Sequence, residues 1–111
     1  MPGKATSLLG NIQLSMLIQP AIVPASVATV TTVEQTFTVP GLQVGDFVNF
    51  ALTAPLAAGL SVLGMRVTAN NTLGITFVNS TAGALVPTAN VYIINIDRYD
   101  SVGTPLPTIL V

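Results

Sequence analysis

The groups in this chain that could do chemistry are few. The cations are Lys4, Arg66 and Arg98, the carboxylates are Glu34, Asp46, Asp97 and Asp100, and there is no His and no Cys. Without an imidazole the usual general base near neutral pH is missing, and neither a Ser-His-Asp nor a Cys-His arrangement can be assembled. A metal would have to be held by carboxylates alone. Asp97 and Asp100 stand three apart around Arg98-Tyr99, and with backbone carbonyls they could contribute to a calcium site. So few ligands fit a solvated strand end better, and no metal or cofactor is expected. Asp46 follows Gly45, the setting of a turn residue that bonds nearby backbone. The glycines form neither GxGxxG nor a phosphate-binding loop. An enzyme is therefore not expected.

The remaining charges raise a pairing question. Arg66 and Asp97 both sit in otherwise uncharged runs. They could pair across a sheet, Arg66 could reach a partner subunit, or both could simply be exposed, since an exposed pair is worth only about 0–1 kcal/mol. Three cations cannot make a basic patch, which argues against nucleic acid as a partner. Only 6% of the 111 residues are charged and the net charge is −1, against about 25% charged residues in an ordinary soluble domain. Such a surface has little repulsion to keep copies apart. Half of the chain is hydrophobic, yet a spanning helix needs about 18–20 apolar residues in a row. The longest apolar runs, residues 91–96 and 52–63, are short or broken by Pro55 and Gly59, so no membrane partner is expected. A secretory signal is not expected either, because Asn11, Gln13, Ser15 and Gln19 interrupt the only hydrophobic stretch near the start. The two N-x-Thr sequons, at Asn70 and Asn79, read as turn chemistry.

The elements that must position these residues are strands. Residues 12–18 alternate Ile12, Leu14, Met16, Ile18 against Gln13, Ser15, Leu17, the period of a half-buried strand. Pro20 and Pro24 then favour an extended link. Within residues 27–39, Val33, Gln35, Phe37 and Val39 face one way and Glu34, Thr36 and Thr38 the other. Pro40-Gly41 ends that strand in a type II corner. Residues 46–52 follow as a strand in which Phe47 and Phe50 have opposite parity, so only one faces the core unless a bulge intervenes. In residues 60–69, Leu63, Met65 and Val67 are expected on one face and Arg66 and Thr68 on the other. Asn70-Asn71 makes a hairpin turn, and Leu73, Ile75 and Phe77 alternate inward on the return. Residues 91–98 form the last strand, with Tyr92, Ile94 and Ile96 on one face. No window has a helical period. The expectation is all-β: a small antiparallel β-sandwich or barrel, immunoglobulin-like or jelly-roll-like, with extended N- and C-terminal arms.

Residues 36–98 carry a recognisable set of motifs. These are a VPGL-x-VGD corner (residues 39–46), an AGL loop (58–60), an MRV strand with a TANNTL hairpin (65–73), ITF-x-N-x-TA (75–82) and a closing Tyr-containing strand. In this region the chain resembles structural modules of tailed-bacteriophage virions, most closely capsid decoration (cement) proteins. The resemblance implies a virion location on the capsid surface. It implies a homo-oligomer, expected as a trimer at three-fold positions, bound to the major capsid protein and stabilising the shell through apolar contacts. Related modules also occur in tail- or fibre-associated adhesion and carbohydrate-binding proteins, and that alternative stays open. It is disfavoured by the absence of Trp and the presence of only two Tyr.

The chain then divides into an N-terminal arm (residues 1–25), a β-sandwich domain (26–98) and a C-terminal tail (99–111). The residues expected at the capsid or subunit interface are Leu14, Met16, Ile18, Ile22 and Val23 in the first arm. Leu106, Ile109, Leu110 and Val111 are their counterparts in the second. They would pair with an exposed sheet edge by strand addition. The competing expectation is that they complete this chain's own core.

Overall fold

In the computed structural model, residues 12–89 and 91–99 are described. They form six strands: β1 (Ile12–Ile18), β2 (Thr31–Thr38), β3 (Phe47–Leu52), β4 (Leu60–Ala69), β5 (Thr72–Asn79) and β6 (Tyr92–Tyr99). The strands make two three-stranded sheets, ordered β1-β6-β3 and β2-β5-β4, and every pairing is antiparallel. The fold is an all-β sandwich.

The core follows from strict alternation in the two central strands. Leu73, Ile75 and Phe77 of β5 face Tyr92, Ile94 and Ile96 of β6, and all six are buried. Each such side chain contributes about 1.5–3 kcal/mol on leaving water. Phe77 and Tyr92 meet edge to face at 6.5 Å between ring centroids, a favoured aromatic geometry. The flanking strands add Val33, Phe37, Val48, Val62 and Met65 as partly buried neighbours.

Two turns lock the sandwich at one end. Pro40-Gly41 is a type II corner, with Gly41 at φ 98° and the Leu42 N–H reaching the Val39 carbonyl at 3.4 Å. Only glycine adopts that φ without strain. The corner docks on the β4–β5 hairpin: the Gly41 N–H donates to Asn71 Oδ1 at 2.8 Å and the Val44 N–H to Asn70 Oδ1 at 3.2 Å. Asn71 itself takes the left-handed conformation, φ 63°, as the hairpin requires.

Other expectations are met differently. Residues 12–18 are not a detached arm but an integral edge strand, β1, paired with β6 from Ile12 opposite Tyr99 to Ile18 opposite Ile94. Leu63 does not join Met65 and Val67 on the inner face. A register shift between Val62 and Gly64 inserts an extra residue, which reverses parity, so Val62 turns in and Leu63 is 70% exposed. Phe50 is half-buried while Phe47 points outward. Lys4, Asp100, Leu106, Ile109, Leu110 and Val111 lie outside the described residues.

Candidate functional site

Among the described residues, four of the five charged groups form two ion pairs. Arg98, on the inner face at the end of β6, meets Asp46 at the end of the 40–46 corner. Its Nε donates to Asp46 Oδ1 and its Nη2 to Oδ2, both at 2.8 Å, and Nη2 also donates to the Gly41 carbonyl at 2.7 Å. The Asp46 side chain is 2% exposed. The Arg98 guanidinium holds the Asp46 carboxyl below the usual carboxylate range, burial opposes this, and the Gln43 N–H lowers it further. This fork-to-fork geometry is the strong form of ion pair. It ties the corner to the opposite sheet, so Asp46 is more than the turn residue its sequence setting implies, although the Gln43 N–H bond to Oδ2 at 3.0 Å is present as well.

Arg66 does not pair with Asp97. The two lie in different sheets, β4 and β6, on opposite outer faces. Arg66 reaches instead across the central strand β5 to Glu34 on β2, with Nε to Oε2 at 2.7 Å and Nη2 to Oε1 at 2.8 Å. Gly74 makes the crossing possible, because a Cβ there would stand 2.6 Å from Glu34 Oε2 and 2.7 Å from Thr68 Cγ2. The Arg66 hydrogen bonds hold the Glu34 carboxyl below its ordinary range. Asp97 accepts the Ser15 hydroxyl at 2.7 Å. Among the described residues no three metal-capable side chains converge, and no helix is long and apolar enough to cross a membrane.

Both sequon asparagines act in turns. Asn79 is buried, its Nδ2 donating to the Val27 and Gly83 carbonyls at 3.0 and 2.9 Å while Oδ1 accepts the Thr81 N–H at 2.9 Å. It thereby fixes the loop after β5 beside the Val27–Leu85 bridge.

Among the described residues several large apolar side chains stand exposed beside these polar contacts. On the outer face of the β1-β6-β3 sheet, Leu17 is 69% exposed, and Phe47 and Tyr99 meet edge to face at 5.3 Å. Between them lie Ser15, Asn49, Asn95 and Asp97. On the inner face of the same edge, Leu14, Met16 and Ile18 line a groove of about 130 Å³ with Pro40, Gly41, Leu42, Ile96 and the ion-paired Arg98. The expected interface residues thus divide. Met16 and Val23 are exposed, Leu14 and Ile18 are half-buried, and Ile22 is fully buried in this chain's own core, where it has no surface to offer. Leu17, Phe47 and Tyr99 were not singled out from sequence. The available signal was Leu17, an apolar residue on the otherwise polar side of the β1 alternation.

Fold and surface together define a small two-sheet β-sandwich with internally paired charges and an apolar edge. No family model, no curated protein and no solved structure matches the chain.

Proposed function

We propose that this chain is a structural protein of a virus particle, a capsid decoration (cement) protein that binds the outer shell as a homo-oligomer. The observation that carries this reading is the surface itself. Among the described residues both arginines are neutralised within the chain, whereas Met16, Leu17, Phe47 and Tyr99 stand exposed along one sheet. A surface of this kind binds by burying apolar area and by backbone pairing rather than by charge. A standard interface of about 1,600 Å² reaches nanomolar affinity when its centre is well packed. Repetition around a shell multiplies the effect. The virion-like motifs of residues 36–98 lie in the corner, hairpin and core strands, and they support the same reading.

The test is a density gradient of particles from the source, with the chain quantified by mass spectrometry. Co-migration with full-size capsids in hundreds of copies is the expected result. Recovery in a few copies with tails, or in no particle, overturns the reading. A second reading, glycan binding, draws on one observation. The Phe47–Tyr99 pair and the amide and carboxyl groups of Asn49, Asn95 and Asp97 share one flat outer face. Retention on a glycan array, lost in a Tyr99→Ala variant, would favour it.

A further inference from the structure

A β-sandwich built from two open sheets has four edge strands, and an unprotected edge is a template for another strand. Three of the four are protected here. On β2, the Gln35 side chain holds the preceding segment at one residue, with the Ala25 N–H donating to Gln35 Oε1 at 2.8 Å and Gln35 Nε2 donating to the Ala25 carbonyl at 2.9 Å. The β4 edge carries the charge of Arg66 and two register shifts, at Val62/Gly64 and Val67/Ala69, both known deterrents to pairing. The β3 strand is pinched against β4, their Cα atoms approaching within 8 Å. That is closer than the roughly 10 Å spacing of stacked sheets, which crowds an added strand's inward side chains.

Among the described residues no second strand pairs with β1. It contains no charge and no proline, and its one register shift lies at the Ile12 end. On its inner face Leu14, Met16 and Ile18 line a mostly apolar groove that ends at Arg98. The sequence IQLSMLI is close to symmetric about Ser15. Leu14 and Met16 flank it on the inner face, and Ile12 and Ile18 are at the ends.

We propose that β1 pairs antiparallel with β1 of a second copy about a two-fold axis at Ser15, making one continuous sheet β3-β6-β1-β1-β6-β3. Leu14 of each copy then faces Met16 of the other, and the two grooves join into one covered apolar seam. The register shift between Ile12 and Leu14 turns Ile12 to the outer face, so the seam is centred on Leu14 and Met16. The nearest charged residues, Asp97 and Arg98, lie one strand back on β6, where Asp97 accepts the Ser15 hydroxyl and Arg98 is bound to Asp46. Two-fold symmetry calls for a dimer in solution, not the three-fold assembly that the sequence resemblance implies. The pairing stands whether or not the chain decorates a capsid.

Because the chain has no cysteine, single-cysteine variants of the full chain report the register cleanly. In an antiparallel pair, directly opposed Cα atoms are about 4.5–5.5 Å apart, within the disulfide range of about 4.4–6.8 Å. Ser15→Cys therefore oxidises to a covalent dimer. Leu17→Cys does not, because its twin lies four residues along, about 13 Å away. Light scattering on the unmodified chain should give a dimer. Met16→Lys, an inward charge at an exposed position, should raise its dissociation constant about tenfold or more with the circular dichroism spectrum unchanged. Leu63→Lys on β4 serves as the control and should leave the dimer intact. A monomer in solution, which is what an edge reserved for a shell protein's strand would give, overturns the proposal. So does a trimer, or cross-linking through Leu17→Cys in preference to Ser15→Cys.

Discussion

Replacing Arg98 with Met is the sharpest test of how the corner is held. The substitution keeps most of the aliphatic stem and deletes three hydrogen bonds, two to Asp46 and one to the Gly41 carbonyl. What remains is a carboxylate 2% exposed with the Gln43 N–H as its donor. Removing one partner of a fully buried pair costs about 3–5 kcal/mol. The 17% exposure of the Arg98 side chain lets water reach part of the vacated space, so about 2–3 kcal/mol is expected here. At about 4–8 °C per kcal/mol for a domain of this size, the melting temperature falls by about 10–20 °C. The assay is thermal denaturation by circular dichroism at pH 7. Most of the loss is the cost of an uncompensated charge, so Asp46→Asn combined with Arg98→Met should recover part of it. A drop in Arg98→Met below about 0.5 kcal/mol, the range of an ordinary surface change, refutes the reasoning. A double variant no more stable than Arg98→Met refutes the charge argument specifically.

The acid response should trace to the same carboxylate. The Asp46 pKa is depressed in the fold, so its stabilisation is full above the unfolded value of about 3.9 and is lost as pH falls through the lower folded value. With no His, urea midpoints should be flat between about pH 5 and 8 and fall below about pH 4, and Asp46→Asn should flatten that fall. Tyr92→Phe should stabilise by about 1 kcal/mol, because the Tyr92 hydroxyl is buried without a hydrogen-bond partner; a loss in chemical denaturation would mean that the hydroxyl is satisfied in solution. Gly74→Ala should push Glu34 off Arg66, and the Glu34 pKa followed by NMR should rise toward the ordinary carboxylate value of about 4.3; an unchanged value would show that the pair tolerates the methyl.

The strands whose residues alternate without interruption were legible from sequence, because period two has one physical meaning when one face is buried. This is why Leu73, Ile75, Phe77, Tyr92, Ile94 and Ile96 are where alternation puts them. Leu63 was misplaced because strict alternation was carried through Gly64, the glycine at which the strand bulges. The ion pairs were not legible for a different reason. Asp46 and Arg98 are 52 residues apart, and which carboxylate an arginine meets depends on sheet membership and, for Arg66, on a glycine in the neighbouring strand. Leu14, Met16 and Ile18 could be read as apolar and strand-forming, but their alternation cannot say whether the strand's second neighbour is β6 alone or also another molecule.

The low charge of this chain has a consequence for how it associates. The five described charged residues are Glu34, Asp46, Arg66, Asp97 and Arg98, and all five are engaged within the chain. The charges therefore hold the corner to β6, β2 to β4, and Ser15 to Asp97, and they contribute little field at the surface. Long-range steering is then weak, so association is set by collision and by the area buried afterwards, and raising salt past the point where the Debye length is about 3 Å should hardly shift it. The polar work of solubility falls to Thr, Asn, Ser and backbone at turns, which hydrate well but do not repel a second copy. Exposed apolar side chains lie on both sheets and in the loops, Leu63, Val30, Val44 and Val86 among them, and at the β1 edge pairing would also consume free backbone groups. In the proposed β1–β1 pairing Met16, exposed in the single chain, would be covered and Leu17 would border the seam.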